Sequence, residues 1–580
     1  MPRTYLRQMF ARHWSAILCG CLLSLMGANL FSNAWRSSLT NDEIVHIPSG
    51  YQYLMTGNFR LNPDHPPLAK MWASVPLLVV QPKVYLEPDG AGEEFARFTV
   101  LASIEFWQRN KLRFQAISFW TRVPMVLLTL VLGLLIFVYG RQLFGPRAAI
   151  LAVALFTFEP TMLAHGWVVH TDMPAAFGYL LFFFALQAYF RRPTLRRAVE
   201  LGLAIGVALL IKFSLAILVP ILVVALVYLA ARASRFGVSR RDCLVHACLI
   251  IGIVLLLLNA AYYFKHPQLA APEASYISAT TPAPVASERI TNGLALLSKV
   301  IPTYYLFGLY TVYVHNQLGH ETSLIGHYSH FGWWYYFPAA FALKTSLPFL
   351  VLSIVAVGWA LYAWVIGRDK RFTLPLIALA VYLGVAMSGN INIGVRHIAP
   401  VFPLLFMLGG ACLDRLLKSN RTRLARGFVV IALGWMLVDS ARVYPDYLSF
   451  TNALGFGKPG WALLSDSNVE WGQDIGEMAR YLKAHGETNL VGSLSAGWAT
   501  PAMYDIKLLD FAPPDLQSAS TRYVAIGAGF LNGASVPPGF KGANGIELTD
   551  EQRRNYFAGY RLLKAEKVFG NSIYLYRKTE

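Results

Sequence analysis

Charged residues are scarce in this chain: they make up 14% of 580 residues, whereas soluble proteins have roughly 25%. Hydrophobic residues reach 55%, and several apolar runs have about 18 residues or more, the length that a helix needs to cross a bilayer. The composition excludes an ordinary soluble domain. It predicts an all-α polytopic membrane protein.

Cysteine is also rare. The five cysteines lie in or beside apolar runs, without the spacing of a zinc site, so we expect no disulfide framework. Acidic residues are outnumbered, which leaves a net charge of +18. Because the basic residues lie mostly between apolar runs, membrane topology explains them, and we expect no nucleic-acid partner.

The apolar runs predict about eleven transmembrane helices. We place them at 14–34, 118–140, 147–164, 173–190, 197–212, 214–232, 244–264, 338–366, 372–388, 396–415 and 425–443. The first run is long and lacks a convincing cleavage site, so we interpret it as an anchor rather than a signal peptide.

Basic residues alternate along these spans. The start, "MPRTYLRQMFARH", and the connections after every even-numbered span are rich in Arg or Lys, which favours the cytoplasmic side. We therefore expect a cytoplasmic N-terminus and an extracytoplasmic tail. Residues 1–443 would form the transmembrane domain, with long outer loops at 35–117 and 265–337, and residues 444–580 a small α/β domain.

The tail predicts regular structure. "SNVEWGQDIGEMARYLKAHG" is typical of a surface helix that ends at Gly486, and "NLVGSLSA", "RYVAIGAGF" and "SIYLYRK" are typical of strands.

Several ionisable residues fall on the predicted outer side, at or near membrane depth. They are Asp42, Glu43, Glu159, His165, Asp172, Lys212, Arg396 and His397. Polar groups there cost several kcal/mol unless they are paired or hydrated. A shared aqueous cavity would satisfy them.

Each motif also has a simpler interpretation. Asp42 and Glu43 in "TNDE", like Asp172 in "HTDMP", suit the start of a helix. His65 and Lys70 in "HPPLAK" can meet an anion, but this string also suits a helix start.

The basic residues also have two interpretations. Lys212 and Arg396 either anchor their spans at the interface or bind an anionic ligand. A cluster of histidines in the second outer loop matches no zinc pattern.

Together these groups suit a lipid-phosphate donor. The cations would hold the phosphate and stabilise it as a leaving group, while a carboxylate would deprotonate an acceptor hydroxyl. A transporter or flippase of lipid-linked sugars is the alternative, but that class often shows internal repeats and broken helices at mid-membrane. The acids cluster at one face and no repeat is visible, which favours an enzyme over a transporter. A scaffold protein whose acids are helix caps is the second alternative.

Six motifs carry a family resemblance: "NDEIVHIPSGYQYL", "NPDHPPLAK", "FEPTMLAHGWVVHTDMP", "GLAIGVALLIKFS", "GWWYYFPAAFALKTSLP" and "NIGVRHIAPVFP". In this order they resemble the bacterial polyprenol-phosphate-dependent glycosyltransferases of the GT-C superfamily. These enzymes are related to protein O-mannosyltransferases and to aminoarabinose transferases of lipid A.

The resemblance implies a GT-C-like fold in the bacterial cytoplasmic (inner) membrane. It implies an inverting transfer from a polyprenyl-phosphate-linked sugar to an extracytoplasmic hydroxyl on a protein or a lipid glycan. The sugar and the acceptor are not specified. No cofactor is expected with confidence, and a divalent metal is left open because some relatives bind one.

The resemblance also assigns roles. Asp42 matches the catalytic Asp, with Glu43 beside it, and Asp172 matches the second acid. We expect substrate binding by His65, Lys70, Glu159, His165, Lys212, Arg396 and His397, with Lys212 and Arg396 at the donor phosphate. "SDSNVEWGQD" carries Glu470 where the family pattern suggests Asp, in a segment that we expect outside the cavity.

Overall fold

The computed structural model describes residues 3–84, 95–281, 284–419, 422–509, 521–541 and 545–578. The first half of the chain is helical. Its helices are α1 (Arg3–Arg36), α2 (Asn41–Thr56), α3 (Pro67–Ser74), α4 (Leu77–Val80), α5 (Phe95–Arg109), α6 (Phe114–Phe144), α7 (Pro146–Phe158), α8 (Pro160–His165), α9 (Asp172–Arg191), α10 (Leu195–Ile211), α11 (Leu218–Ala231) and α12 (Arg240–Ala261).

The second outer loop and the last membrane helices follow. They form α13 (Ala271–Thr280), α14 (Pro284–Leu297), α15 (Thr303–Leu318), the hairpin β1 (Thr322–Leu324) and β2 (His327–Ser329), α16 (Tyr336–Lys344), α17 (Leu347–Val365), α18 (Thr373–Ser388), α19 (Phe402–Leu417) and α20 (Thr422–Val443). Short 3₁₀ turns connect several of them.

Nine helical stretches among the described residues are long and apolar enough to cross a membrane. They coincide with all predicted spans except 147–164 and 197–212, which correspond to shorter helices, α7 with α8 and α10. The multi-pass helical fold is thus confirmed, while the count of eleven spans stays a prediction.

Two predicted spans are broken rather than continuous. The span at 147–164 is interrupted at Glu159, and the span at 338–366 is interrupted at Thr345 and Ser346. The breaks meet in space, because Ser346 donates its backbone N–H (3.3 Å) and its hydroxyl (2.9 Å) to the Glu159 carboxylate. This contact satisfies polar groups that each break would leave unpaired.

The tail combines short helices with a sheet. Its elements are α21 (Gly460–Leu463), α22 (Ile475–Ala484), β3 (Asn489–Ser493), α23 (Thr500–Met503), β4 (Lys507–Leu509), β5 (Tyr523–Gly527), α24 (Ala528–Asn532), α25 (Asp550–Arg554), α26 (Ala558–Arg561), β6 (Lys567–Phe569) and β7 (Ile573–Arg577). The strand order is β4-β3-β5-β7-β6, with β3 parallel to β4 and β5, and β7 antiparallel to β5 and β6.

The three strands expected in the tail are confirmed as β3, β5 and β7, whereas β4 and β6 were missed. The predicted surface helix was half wrong: helix α22 begins only at Ile475. Residues 465–473 are instead a mostly buried segment that reaches the membrane part. The tail also shares a buried apolar cluster with α2, in which Ile44 and Ile47 pack with Met478 and Leu490.

Candidate active site

A cavity of about 750 Å³ lies where the ends of several helices meet the first outer loop. Six residues that the sequence singled out line it: Asp42, His65, Asp172, Lys212, Arg396 and His397. They come from stretches far apart in the chain, and the fold brings them together in one cavity. Their assignment as catalytic or binding residues stays a prediction.

Interruptions of the helices bring these side chains together. Asp172 is the first residue of α9, and Lys212 lies in extended backbone just after α10. Arg396 lies in a 3₁₀ segment, Val395–Val401, that precedes α19. Because helix ends leave backbone groups unpaired, they suit polar surroundings better than an apolar core.

Arg396 connects the two acids that the sequence predicted as catalytic. One of its terminal nitrogens, Nη1, lies 2.7 Å from Asp42 Oδ2 and 3.3 Å from Asp172 Oδ2. Lys212 Nζ pairs with the other oxygen of Asp172. The two carboxylates and two cations therefore form one network, which offsets the cost of burying each charge alone.

The two acids differ in exposure. The side chain of Asp172 is 2% exposed, and both of its oxygens face cations, whereas that of Asp42 is 21% exposed. Asp42 is therefore the acid that a substrate in the cavity can reach.

The surroundings of Asp42 keep it ionised. Burial works to raise the pKa of this carboxyl, but nearby groups, Arg396 foremost, outweigh burial and hold the pKa below its ordinary value. His46 lies one helical turn after Asp42 on α2, so both face the cavity. Burial lowers the pKa of His46 to about 4, so this imidazole is neutral near pH 7.

Glu43 does not line the cavity, contrary to its predicted place beside the catalytic Asp. It is fully buried, and its carboxylate accepts hydrogen bonds from Arg122 at 2.8 and 2.6 Å. It also accepts from the backbone N–H groups of Thr40 (3.0 Å) and Val169 (3.2 Å). Glu43 thus has the capping role that the sequence left open, and it joins α2 to α6.

Lys70 also points away from the cavity. Its ammonium donates to the carbonyl oxygen of Asn62 at 2.6 Å, to the side-chain oxygen of Asn62 at 3.2 Å and to the Tyr53 hydroxyl at 3.0 Å. This contact fixes the loop that carries His65. The structure therefore gives Lys70 a support role and does not bring it to a ligand in the cavity.

Glu159 and His165 lie behind the cavity as well. Glu159 is fully buried against Ser346 at the helix break described above. The ring of His165 packs edge-on against those of His170 (5.6 Å) and Trp471 (6.0 Å). Neither residue lines the cavity, so direct contact with substrate is not supported by the geometry.

Sequence reasoning missed several residues of the site. Asp64 and His46 line the cavity, and both belong to motifs in which other residues were predicted to act. Ser467 and Trp471 contact Arg396, so the 465–473 segment packs against a cavity residue without lining the cavity itself. Asp64 and His46 had local signals, since Asp64 is adjacent to His65 in "NPDHPP" and His46 follows Asp42 by four residues.

A metal does not fit this arrangement. One oxygen of Asp42 and one oxygen of Asp172 are already bonded to Arg396, and Lys212 takes the remaining oxygen of Asp172. Within the described ranges, no group of three or more His, Cys, Asp or Glu side chains is arranged to hold an ion. The reaction proposed below therefore uses no metal.

The cavity has an apolar side as well. Phe213, Ile217, Leu309, Val385 and Ala386 line it from the membrane helices and the second outer loop. Val385 is 54% exposed on the outer surface of α18. The cavity is therefore amphiphilic, because charged and apolar side chains both line it.

Residues 110–263 match the sequence model of the family described as dolichyl-phosphate-mannose-protein mannosyltransferase. Over this stretch, which is less than half of the chain, the protein is similar to that family. The region similar to these mannosyltransferases runs from the end of the first outer loop to α12, and it includes Asp172 and Lys212. Asp42 and Arg396 lie outside it. Curated protein sequences give no match.

Several solved structures are similar at low identity. AglB from Archaeoglobus fulgidus, in complex with an inhibitory peptide and a dolichol-phosphate, has a TM-score of 0.49 and 11% identity over 89% of this chain and 70% of its own. ArnT from Cupriavidus metallidurans, bound to undecaprenyl phosphate, has 0.46 and 14% over 97% and 98%. The Pmt1-Pmt2 protein O-mannosyltransferase of S. cerevisiae has 0.48 and 10% over 74% and 89%.

Proposed function

We propose that this protein is a membrane glycosyltransferase that moves a monosaccharide from a polyprenyl-phosphate donor to a hydroxyl acceptor, with inversion at the anomeric carbon. One observation carries the proposal. An amphiphilic cavity in a multi-pass protein holds a carboxylate, Asp42, paired with Arg396, and a second cation, Lys212, lines the same cavity. The match to the mannosyltransferase family supports the same class of reaction.

Asp42 is the proposed general base. It is ionised and reachable, as a base must be. The acceptor oxygen attacks the anomeric carbon while its proton passes to Asp42. The bond between that carbon and the phosphate oxygen breaks, and the lipid phosphate leaves with the electron pair.

The leaving phosphate needs positive charge. Lys212 and Arg396 are the cations of the cavity wall, and Asp172 holds both of them in place. Charge that is fixed before the reaction stabilises the developing phosphate at no cost of reorganisation. In this proposal Asp172 acts by positioning the cations. His65 and His397, which also line the cavity, are proposed to contact the sugar or phosphate.

The rest of the donor is apolar. Its polyprenyl chain would lie along the wall formed by Ile217, Val385 and neighbouring side chains, where it leaves the charged end of the cavity for the bilayer. The acceptor would be a protein or lipid-glycan hydroxyl on the extracytoplasmic face of the bacterial inner membrane. In this proposal residues 1–443 form the transmembrane domain, residues 444–580 form an extracytoplasmic domain, and the N-terminus is cytoplasmic.

The experiment is a donor screen. Purified protein in lipid nanodiscs is incubated with a panel of radiolabelled polyprenyl-phosphate sugars, and release of polyprenyl phosphate is measured with and without candidate acceptors. We expect one donor to be cleaved, with transfer to an acceptor and inverted anomeric configuration. Binding of donors without cleavage of any of them, followed by their movement across the bilayer, would contradict the proposal.

A further inference from the structure

The 465–473 segment of the tail runs directly against Arg396. Ser467 is buried, and its hydroxyl accepts from Arg396 Nε at 2.9 Å while donating to the carbonyl of Ile393 at 2.8 Å. The guanidinium carbon of Arg396 lies 4.0 Å from the centre of the Trp471 ring. One residue fixes the edge of the guanidinium and the other supports its face.

The same segment also binds the backbone next to Arg396 and next to Asp42. The N–H of Val395, the residue before Arg396, donates to the Asn468 side chain at 2.9 Å. The N–H of Asn41, the residue before Asp42, donates to the Trp471 carbonyl at 2.9 Å. The starts of two elements that are far apart in sequence are thus tied to one short stretch.

The segment is itself anchored at two sides. Glu470 is buried, and its carboxylate accepts from the backbone of Ser495 (2.6 Å) and of Gly529 (3.2 Å), next to β3 and in α24. On the membrane side, the Lys344 ammonium donates to the Asn468 carbonyl at 2.5 Å. These contacts connect the C-terminal sheet to the cavity.

We propose that Ser467 and Trp471 are positioning residues, through which the C-terminal domain sets the placement of Arg396 relative to Asp42. The proposal rests on the proposed function, because its importance depends on Asp42 acting as the base. Arg has many rotamers, so its guanidinium needs fixed partners to stay in one place. Ser467 binds the edge of the Arg396 guanidinium, and the Trp471 ring packs against its face.

The test compares matched variants of full-length protein in nanodiscs. Trp471→Leu removes the aromatic face, and Trp461→Leu is its control, since Trp461 is a partly buried tryptophan of the tail that packs in the core. Ser467→Ala removes the acceptor, and Ser465→Ala is its control, because the buried Ser465 hydroxyl accepts from the Ser323 backbone at 3.0 Å.

We expect kcat/KM for donor cleavage to fall on the order of 10²-fold in Trp471→Leu, as small misplacements of reacting groups can do. In Ser467→Ala, where a hydrogen bond to a charged group is lost, the fall should be about tenfold. Trp471→Phe keeps a ring face and should recover most of the loss. The controls should stay within about twofold of the parent, as expected for sites without a part in the network.

The pH profile separates positioning from general damage. Arg396 opposes the rise in the pKa of Asp42 that burial causes, so a loosened Arg396 lets this pKa rise. The acid limb of kcat/KM should therefore move to higher pH in Trp471→Leu and Ser467→Ala, and stay in place in both controls. Variants with lower rates but an unmoved acid limb would overturn the proposal.

A second measurement does not need activity. Melting temperatures of Ser467→Ala, Arg396→Gln and the double variant form a cycle, in which losses that add would mean that the two residues do not interact. We expect the double variant to lose less than the sum. If the parent cleaved no donor at all, the proposed function would fail, and this cycle alone would support or overturn the positioning contact.

Discussion

Two sets of charged side chains come from the same stretches of sequence but have opposite surroundings. Asp42, Asp172 and Arg396 line the cavity, and their charges form one network at its wall. Glu43 stands in the motif of Asp42, and Lys70 in the motif of the cavity residue His65. Each is nevertheless buried and bonded to other protein groups. A motif in this chain therefore contains both residues that line the cavity and buried residues that hold the surrounding structure in place.

Helix geometry explains the division. Successive residues of a helix point about 100° apart, so Asp42 and Glu43 meet different neighbours. Asp42 turns toward Arg396, while Glu43 turns toward Arg122 on α6. The predictions below use these pairs to separate a loss of chemistry from a loss of stability.

The largest expected effect is that of Asp42→Asn on rate. Removal of a general base typically costs about 10²–10⁴ in rate, so donor cleavage should nearly vanish. Stability should change little, because Asn is also a good residue near the start of a helix and Asp42 is partly exposed. The measurement is the cleavage rate in nanodiscs alongside the melting temperature. An Asn variant with parental rate at matched protein levels would remove Asp42 as the base.

Glu43→Gln should show the reverse pattern. Arg122 is 1% exposed and would be left without its counter-charge, and breaking a buried pair typically costs about 3–5 kcal/mol. We expect a clearly lower melting temperature with a smaller loss of rate per folded molecule than Asp42→Asn. Arg122→Gln is the matched partner variant. If Glu43→Gln were as stable as the parent but inactive, Glu43 would belong with the catalytic group.

The sequence predicted the membrane part well, because hydropathy reports directly on burial in lipid. The broken helices at Glu159 and Ser346 escaped detection, since two apolar pieces separated by one or two polar residues resemble a single span. The polar residues that make the break are also the ones that pair across it. Hydropathy cannot show such a contact, which joins positions far apart in the chain.

The site was predicted in part for a similar reason. Sequence indicated that Asp42, Asp172, Lys212 and Arg396 lie on one side, and the structure gathers them in one cavity. It did not indicate the partners of each side chain. Glu43 and Asp42 are adjacent and chemically alike, and only the positions of Arg122 and Arg396 decide which one is held away from the cavity.

The smallest expected effect concerns Lys70 and appears as a pH dependence of stability. Burial lowers the pKa of Lys70 to about 7, although the Asp64 carboxylate opposes this shift. In the unfolded chain the pKa of a lysine is roughly 10.4. Between these values the unfolded state binds a proton that the native state lacks, so stability rises with pH there.

The free energy of unfolding should therefore increase by about 1 kcal/mol between pH 7 and 8 through Lys70 alone. Lys70→Met removes the titrating group and the bonds to Asn62, so this variant should be less stable throughout and should lack that part of the slope. Lys458→Met, at an exposed lysine, loses the same charge and should keep the parental slope. Chemical unfolding in detergent across this pH interval gives the comparison. If Lys70→Met kept the full slope and instead raised KM for the donor, Lys70 would bind substrate and would belong with the residues of the cavity.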